Sequence, residues 1–165
     1  SVADRAPTNT AARPAANPIM DDTTSFTWDD RYLLGHPAMD HTHREFVSCV
    51  QALRSAPDAQ LPAALDAFAR HARAHFGEED RWMADNGFPA ADCHRDEHAR
   101  VLASVAEVQA ALTTGNSELV RELARALQAW FPAHADYLDS ALAQWLVKRS
   151  HGGAPLVFRR PPAPA

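Results

Sequence analysis

Apolar residues recur every third or fourth position in four stretches of this chain, and no stretch alternates with the period of two that marks a strand. The first runs from near Asp40 to Ala56. It sets Phe46, Val47, Val50 and Leu53 on one face, with Asp40 placed to cap its start and Pro57 to end it. The second begins near Pro62, a suitable first-turn proline, carries Leu65, Phe68, Ala72 and Trp82, and stops at Asn86-Gly87. The third extends from about Ala90 to Leu112 and closes at Gly115. The fourth opens at Ser117 as N-cap, continues through Val120 and Leu123, and reaches about Lys148, with Pro132 removing one backbone donor inside it. Helices with such short connections predict an all-α fold, an up-down-up-down antiparallel four-helix bundle.

Outside these stretches the apolar period fades. Residues 1–25 are rich in Ala, Pro, Thr and Asn and read as a mobile tail, within which Met20 is a plausible original start. Residues 151–165 end in a Pro-rich tail, from which Leu156, Val157 and Phe158 are free to dock on the bundle. The bundle occupies 26–150, and 165 residues suffice for one domain with a real core. A net charge of -5 with no basic cluster argues against a nucleic-acid partner. No apolar run is long enough for a membrane span, and no leader is apparent, so a cytoplasmic monomer is the default expectation. Cys49 and Cys93 make no disulfide framework.

The chemistry lies in the histidines. His75 and Glu79 stand four apart, as do His94 and His98, so each pair projects from one helical face and two such pairs on facing helices can converge on ions in a bundle core. His134 and Asp139 stand five apart, which a regular helix would separate by about 140°. Spacing alone does not support that pair, and a local distortion near Pro132 would be needed. His36, His41 and His151 fall in or near loops, where solvation is expected. His71, one turn before His75, is placed either above a site or at the surface. Glu78 reads as a solvated acid or one that supports the ligands from behind, and Tyr137 either reaches toward the Asp139 region or lies on the surface. Trp28, Trp82, Trp130, Phe76 and Tyr32 read as packing around a site. A ferritin-like centre would need Glu-x-x-His motifs and a zinc hydrolase His-Glu-x-x-His, and neither occurs.

From residue 26 to about 145 the chain resembles the hemerythrins, particularly single-domain bacterial ones. The resemblance rests on FTWDDRYLLGHPAMDHTH, HFGEEDRWM, HRDEH and WFPAHADYLD, which together fill every ligand position of that family. It implies a di-iron site held by His43, His75, Glu79, His94, His98, His134 and Asp139, with His43 preferred over His41. His94, His98 and His134 would hold one iron, His43 and His75 the other, and Glu79 and Asp139 would bridge. Five imidazoles, two bridging carboxylates and one oxo or hydroxo bridge supply eleven of the twelve bonds that two six-coordinate irons accept. One position would stay open for dioxygen, bound as hydroperoxide as Fe2+ becomes Fe3+.

The implied role is oxygen carriage, storage or delivery, without catalytic residues, to an oxygen-using enzyme. A redox or oxygen sensor with a separate signalling partner, or a site handling peroxide or nitric oxide with weak peroxidase-type activity, would use the same residues. The family commonly has a Trp-Leu-x-x-His-Ile run beside the open iron. Here the bulkier Phe131 and the much smaller Ala135 replace its two aliphatic residues, and the bulk lost at Ala135, which admits water or a larger ligand, predicts a centre that binds oxygen but autoxidises readily.

Overall fold

The structure, a computed structural model, describes residues 25–152. The expected tails therefore lie outside the described residues apart from Ser25, His151 and Gly152, as do Met20 and the Leu156–Phe158 segment. Within this range every regular element is helical: α1 (Pro37–Ser55), α2 (Leu61–Asp85), α3 (Ala91–Leu112), α4 (Glu118–His134) and α5 (Ser140–Ser150), with short 3-10 turns at Asp30–Tyr32 and Asp58–Gln60. A π-turn, Ala135–Asp139, joins α4 to α5, and backbone angles stay right-handed helical across both junctions, so the two form one rod. The result is a four-helix bundle in which α1 and α3 each pack against α2 and α4. The helix from Pro37 is 19 residues long, about 28 Å, whereas a five-residue connection reaches at most about 18 Å. Successive helices must therefore run antiparallel. No helix among the described residues is long and apolar enough to cross a membrane.

Two helix starts differ from expectation. α1 begins earlier, at Pro37, with His36 as N-cap accepting from the Met39 N–H at 3.3 Å. Asp40 lies inside the first turn instead of capping it. Its carboxylate reaches back to accept the N–H groups of Leu34 (2.7 Å) and Gly35 (3.1 Å), fastening the approach loop. Ser117 does occupy the N-cap position of α4, but its hydroxyl turns to Asp58 and the Asn116 side chain accepts from Leu119 N–H. At the end of α2, Gly87 takes a left-handed φ of 58°. That lets Phe88 N–H reach Met83 C=O (2.9 Å) and Gly87 N–H reach Ala84 C=O (3.4 Å), the paired bonds of a Schellman stop.

The core is divided. A large apolar cluster includes Phe46, Phe68, Phe76, Val101, Leu127 and Phe131, and a smaller one holds Met39, Met83, Phe88, Leu142, Ala143 and Leu146. Along each helix a polar position separates the two. His43 lies between Met39 and Phe46, Glu79 between Phe76 and Met83, and Asp139 between Phe131 and Leu142. The apolar clusters thus close both ends of a polar layer.

Candidate metal centre

That layer contains all seven residues singled out in the sequence, none more than 4% exposed. α1 contributes His43, α2 His75 and Glu79, α3 His94 and His98, and the last rod His134 and Asp139. The π-turn explains how the last two meet. Its wider winding, with Ser140 N–H bonded to Ala135 C=O, turns both side chains inward, so His134 Nε2 lies 3.1 Å from Asp139 Oδ1. The distortion falls beyond Pro132. That residue's absent N–H would have bonded to Gln128 C=O, not across the turn.

Each carboxylate splits its oxygens between two histidine groups. Glu79 Oε1 lies 2.9 Å from His75 Nε2 and 3.5 Å from His43 Nε2, and its Oε2 lies 3.1 Å from His98 and 3.5 Å from His94. Asp139 Oδ2 faces His43 at 3.1 Å, while Oδ1 faces His94 at 2.9 Å and His134 at 3.1 Å. Two focal points result. At one, His43, His75 and Glu79 draw together, with Asp139 Oδ2 reaching His43 alone as a fourth donor, and at the other five donors lie within reach of one another (His94, His98, His134, Glu79 and Asp139).

Apart from the His75–Glu79 contact, these atoms are close without being hydrogen-bonded. The Nε2 atoms of His43, His94, His98 and His134, Glu79 Oε2 and both Asp139 oxygens have no hydrogen-bond partner. Buried polar atoms are seldom left so. Donors bound at about 2.1 Å and at right angles to one ion stand about 3.0 Å apart, which matches the shorter of these contacts. The residues fit a pair of cations better than they fit one another.

The charges are tuned accordingly. Burial alone would depress His43 and His94, but the facing Asp139 and Glu79 outweigh it and push each to about 9. His134 is also raised, against the same burial cost, chiefly by Asp139. Burial would raise Glu79, yet His75, His43 and His94 hold it well below the usual carboxylate range. Asp139 falls far below that range despite burial and the neighbouring Glu79 charge, because His134, His43 and His94 surround it. Two buried anions enclosed by imidazoles form a donor set suited to a cation.

A family model, described as the hemerythrin HHE cation binding domain, matches residues 34–146. The chain belongs to the hemerythrin family. It is 38% identical to a bacteriohemerythrin from Ralstonia nicotianae over 122 residues, covering 74% of this chain and 89% of the relative. A bacteriohemerythrin from Stenotrophomonas maltophilia is 25% identical, covering 76% and 90% of the two chains. Among solved structures, a leucine-to-tyrosine variant of a hemerythrin superposes with a TM-score of 0.67 at 21% identity, covering 73% of this chain and 95% of that one, a likeness of fold.

The remaining polar residues separate clearly in this hemerythrin. His41 is exposed beside Glu45, His151 is exposed at the end of α5, and Tyr137 is 77% exposed on the outside of the π-turn. Glu78 is half-buried. His71 packs its ring 5.4 Å from that of His75, and burial with the charges of His75 and His43 pushes it down to about 4. Cys49 is half-buried and Cys93 exposed, both as free thiols. Two acids not singled out in the sequence touch the far side of the centre. Asp80 Oδ1 lies 3.1 Å from His98 Nδ1, and Glu97 Oε2 lies 2.8 Å from His134 Nδ1. Both pairings cross between helices, and neither leaves a mark in local spacing.

Proposed function

We propose that this hemerythrin holds two iron ions, Fe2+ or Fe3+ and joined by an oxo or hydroxo bridge, and binds dioxygen reversibly for carriage, storage or delivery to an oxygen-using enzyme. His94, His98 and His134 would hold one iron, His43 and His75 the other, and Glu79 and Asp139 would span both. The observation that carries the reading is the set of buried nitrogens and oxygens 2.9–3.5 Å apart that do not bond one another and instead converge on two points. The unequal donor sets support it as well, since the point with four protein donors leaves more room for an exogenous ligand.

When bound, the irons would supply dioxygen with two electrons and take them back on its release. The chain's own part is to orient, exclude and hold. Glu79 and Asp139 keep the two positions in register. Phe131, edge-on to His43 at 5.3 Å, and Phe46, edge-on to His75 at 5.9 Å, wall the four-donor side against water. The buried Ala135 contributes little bulk to that wall, which supports ready autoxidation.

Oxygen uptake by the anaerobically reduced, iron-loaded protein tests the proposal. One dioxygen for every two irons, recovered on purging with argon, is expected. Uptake that cannot be reversed would instead favour redox sensing or peroxide handling. Absence of uptake at full iron loading would overturn the oxygen-binding assignment.

A further inference from the structure

We propose that Asp80 and Glu97 are positioning residues that make the two metal positions unequal, so that the three-histidine position is the preorganised, tighter one. The inference rests on the reading that the seven residues hold two metal ions.

The asymmetry is in the second contacts of the histidines. With Nε2 turned to the centre, the proton of His98 sits on Nδ1 and is donated to Asp80 at 3.1 Å, and that of His134 is donated to Glu97 at 2.8 Å. Each of these rings also lies flat against an aromatic face. Phe76 stacks on His98 with centroids 4.1 Å apart and planes 7° apart, and Trp130 stacks on His134 at 4.2 Å and 27°. A ring fixed on one edge by a carboxylate and on one face by an aromatic plane has little freedom about χ2. The carboxylate also makes the imidazole a stronger donor at Nε2.

The other position has neither device. The Nδ1 atoms of His43 and His75 have no hydrogen-bond partner. Their neighbouring phenyl rings meet them edge-on or tilted: Phe131 on His43 at 87°, and Phe46 and Phe76 on His75 at 83° and 46°. A metal ion at the three-histidine point therefore meets two rings, His98 and His134, already oriented and polarised, His94 Nδ1 being as unpartnered as those of His43 and His75, whereas one at the two-histidine point must order both of its own. Asp80 and Glu97 are themselves about one-third exposed, so they act on the buried rings from the surface.

The test is an anaerobic titration of the metal-stripped protein with cobalt(II), followed by calorimetry and by the cobalt absorption bands. The parent chain is expected to bind two equivalents in two resolved steps. Glu97→Gln and Asp80→Asn should each weaken the tighter step about 10- to 100-fold, shift the spectrum of the first equivalent, and leave the second step nearly unchanged. Glu107→Gln, which removes an exposed charge from the same helix as Glu97, should alter neither step. Equal parent steps, or a parent second step weakened as much as the first by Glu97→Gln, would overturn the proposal. Binding of fewer than two equivalents by the parent would remove the two-metal reading itself. Circular dichroism melts of the stripped variants separate a binding effect from lost folding, and Glu97→Asp should restore part of the first step if the carboxylate is what matters.

Discussion

His134 Nε2 and Asp139 Oδ1 stand 3.1 Å apart across a π-turn, whereas a regular helix would set residues at that spacing about 140° apart. The turn behaves as one residue inserted into an α-helix, and the exposed Tyr137 is the residue it can lose. Deleting Tyr137 leaves the two ligands four apart on one face of a regular helix. The deletion variant is expected to keep two metal equivalents and to melt no lower than the parent. A rotated C-terminal helix, seen as lost binding and a lower melting temperature, would refute this account of the turn.

Metal removal should make stability sharply pH-dependent. His43 and His94 rise from 6.5 to about 9 on folding, so their contribution is complete below about pH 6.5 and is lost as pH climbs through 9. Glu79 and Asp139 are depressed, so theirs is present above the ordinary carboxylate range and lost as pH falls below it. His71, held down at about 4, works the other way and costs stability as pH falls below its ordinary 6.5, so the stripped protein should be most stable near pH 6.5 and weaken toward both pH 5 and pH 9. The loaded protein should not weaken from pH 6.5 to 9, because metal binding requires the deprotonated rings. Melting curves of both forms from pH 5 to 9.5 check the pair of trends.

Asp40 is a structural acid close to the centre in sequence but not part of it. Asp40→Ala strands the N–H groups of Leu34 and Gly35, costing about 2 kcal/mol, or roughly 8 °C in melting temperature. Iron stoichiometry should be unchanged. Loss of iron from a still-folded Asp40→Ala variant would show that the loop has a part in the site.

Phe131 fills the wall beside His43 and stacks on Phe46 with centroids 5.1 Å apart. Phe131→Leu should admit water and speed conversion of the oxygenated form to the ferric form severalfold, at a stability cost of about 1–2 kcal/mol. The decay of the oxygenated absorption band, compared with the parent at one pH, measures it. Slower decay would mean that the ring is not the barrier.

The helices, their antiparallel order and the apolar faces were legible because each is written in local periodicity, and Phe46, Leu65 and Val120 fall in the core where that pattern puts them. His75 with Glu79 and His94 with His98 were legible for the same reason. His134 with Asp139 was legible only through the family resemblance, because a π-turn breaks the angular rule on which spacing arguments rest. Asp40 looked like a cap because acids before apolar runs usually are, and the helix began three residues sooner because Pro37 and His36 supplied a better start. Asp80 and Glu97 stayed hidden since their partners lie on other helices, 18 and 37 residues away.

The most direct test of the central claim is the absorption spectrum of the iron-loaded, anaerobically reduced protein before oxygen, after its admission and after its removal. A reversible oxygen-binding di-iron centre predicts charge-transfer bands that grow with oxygen and fade without it. Two bound irons with no charge-transfer band at any stage would contradict the account.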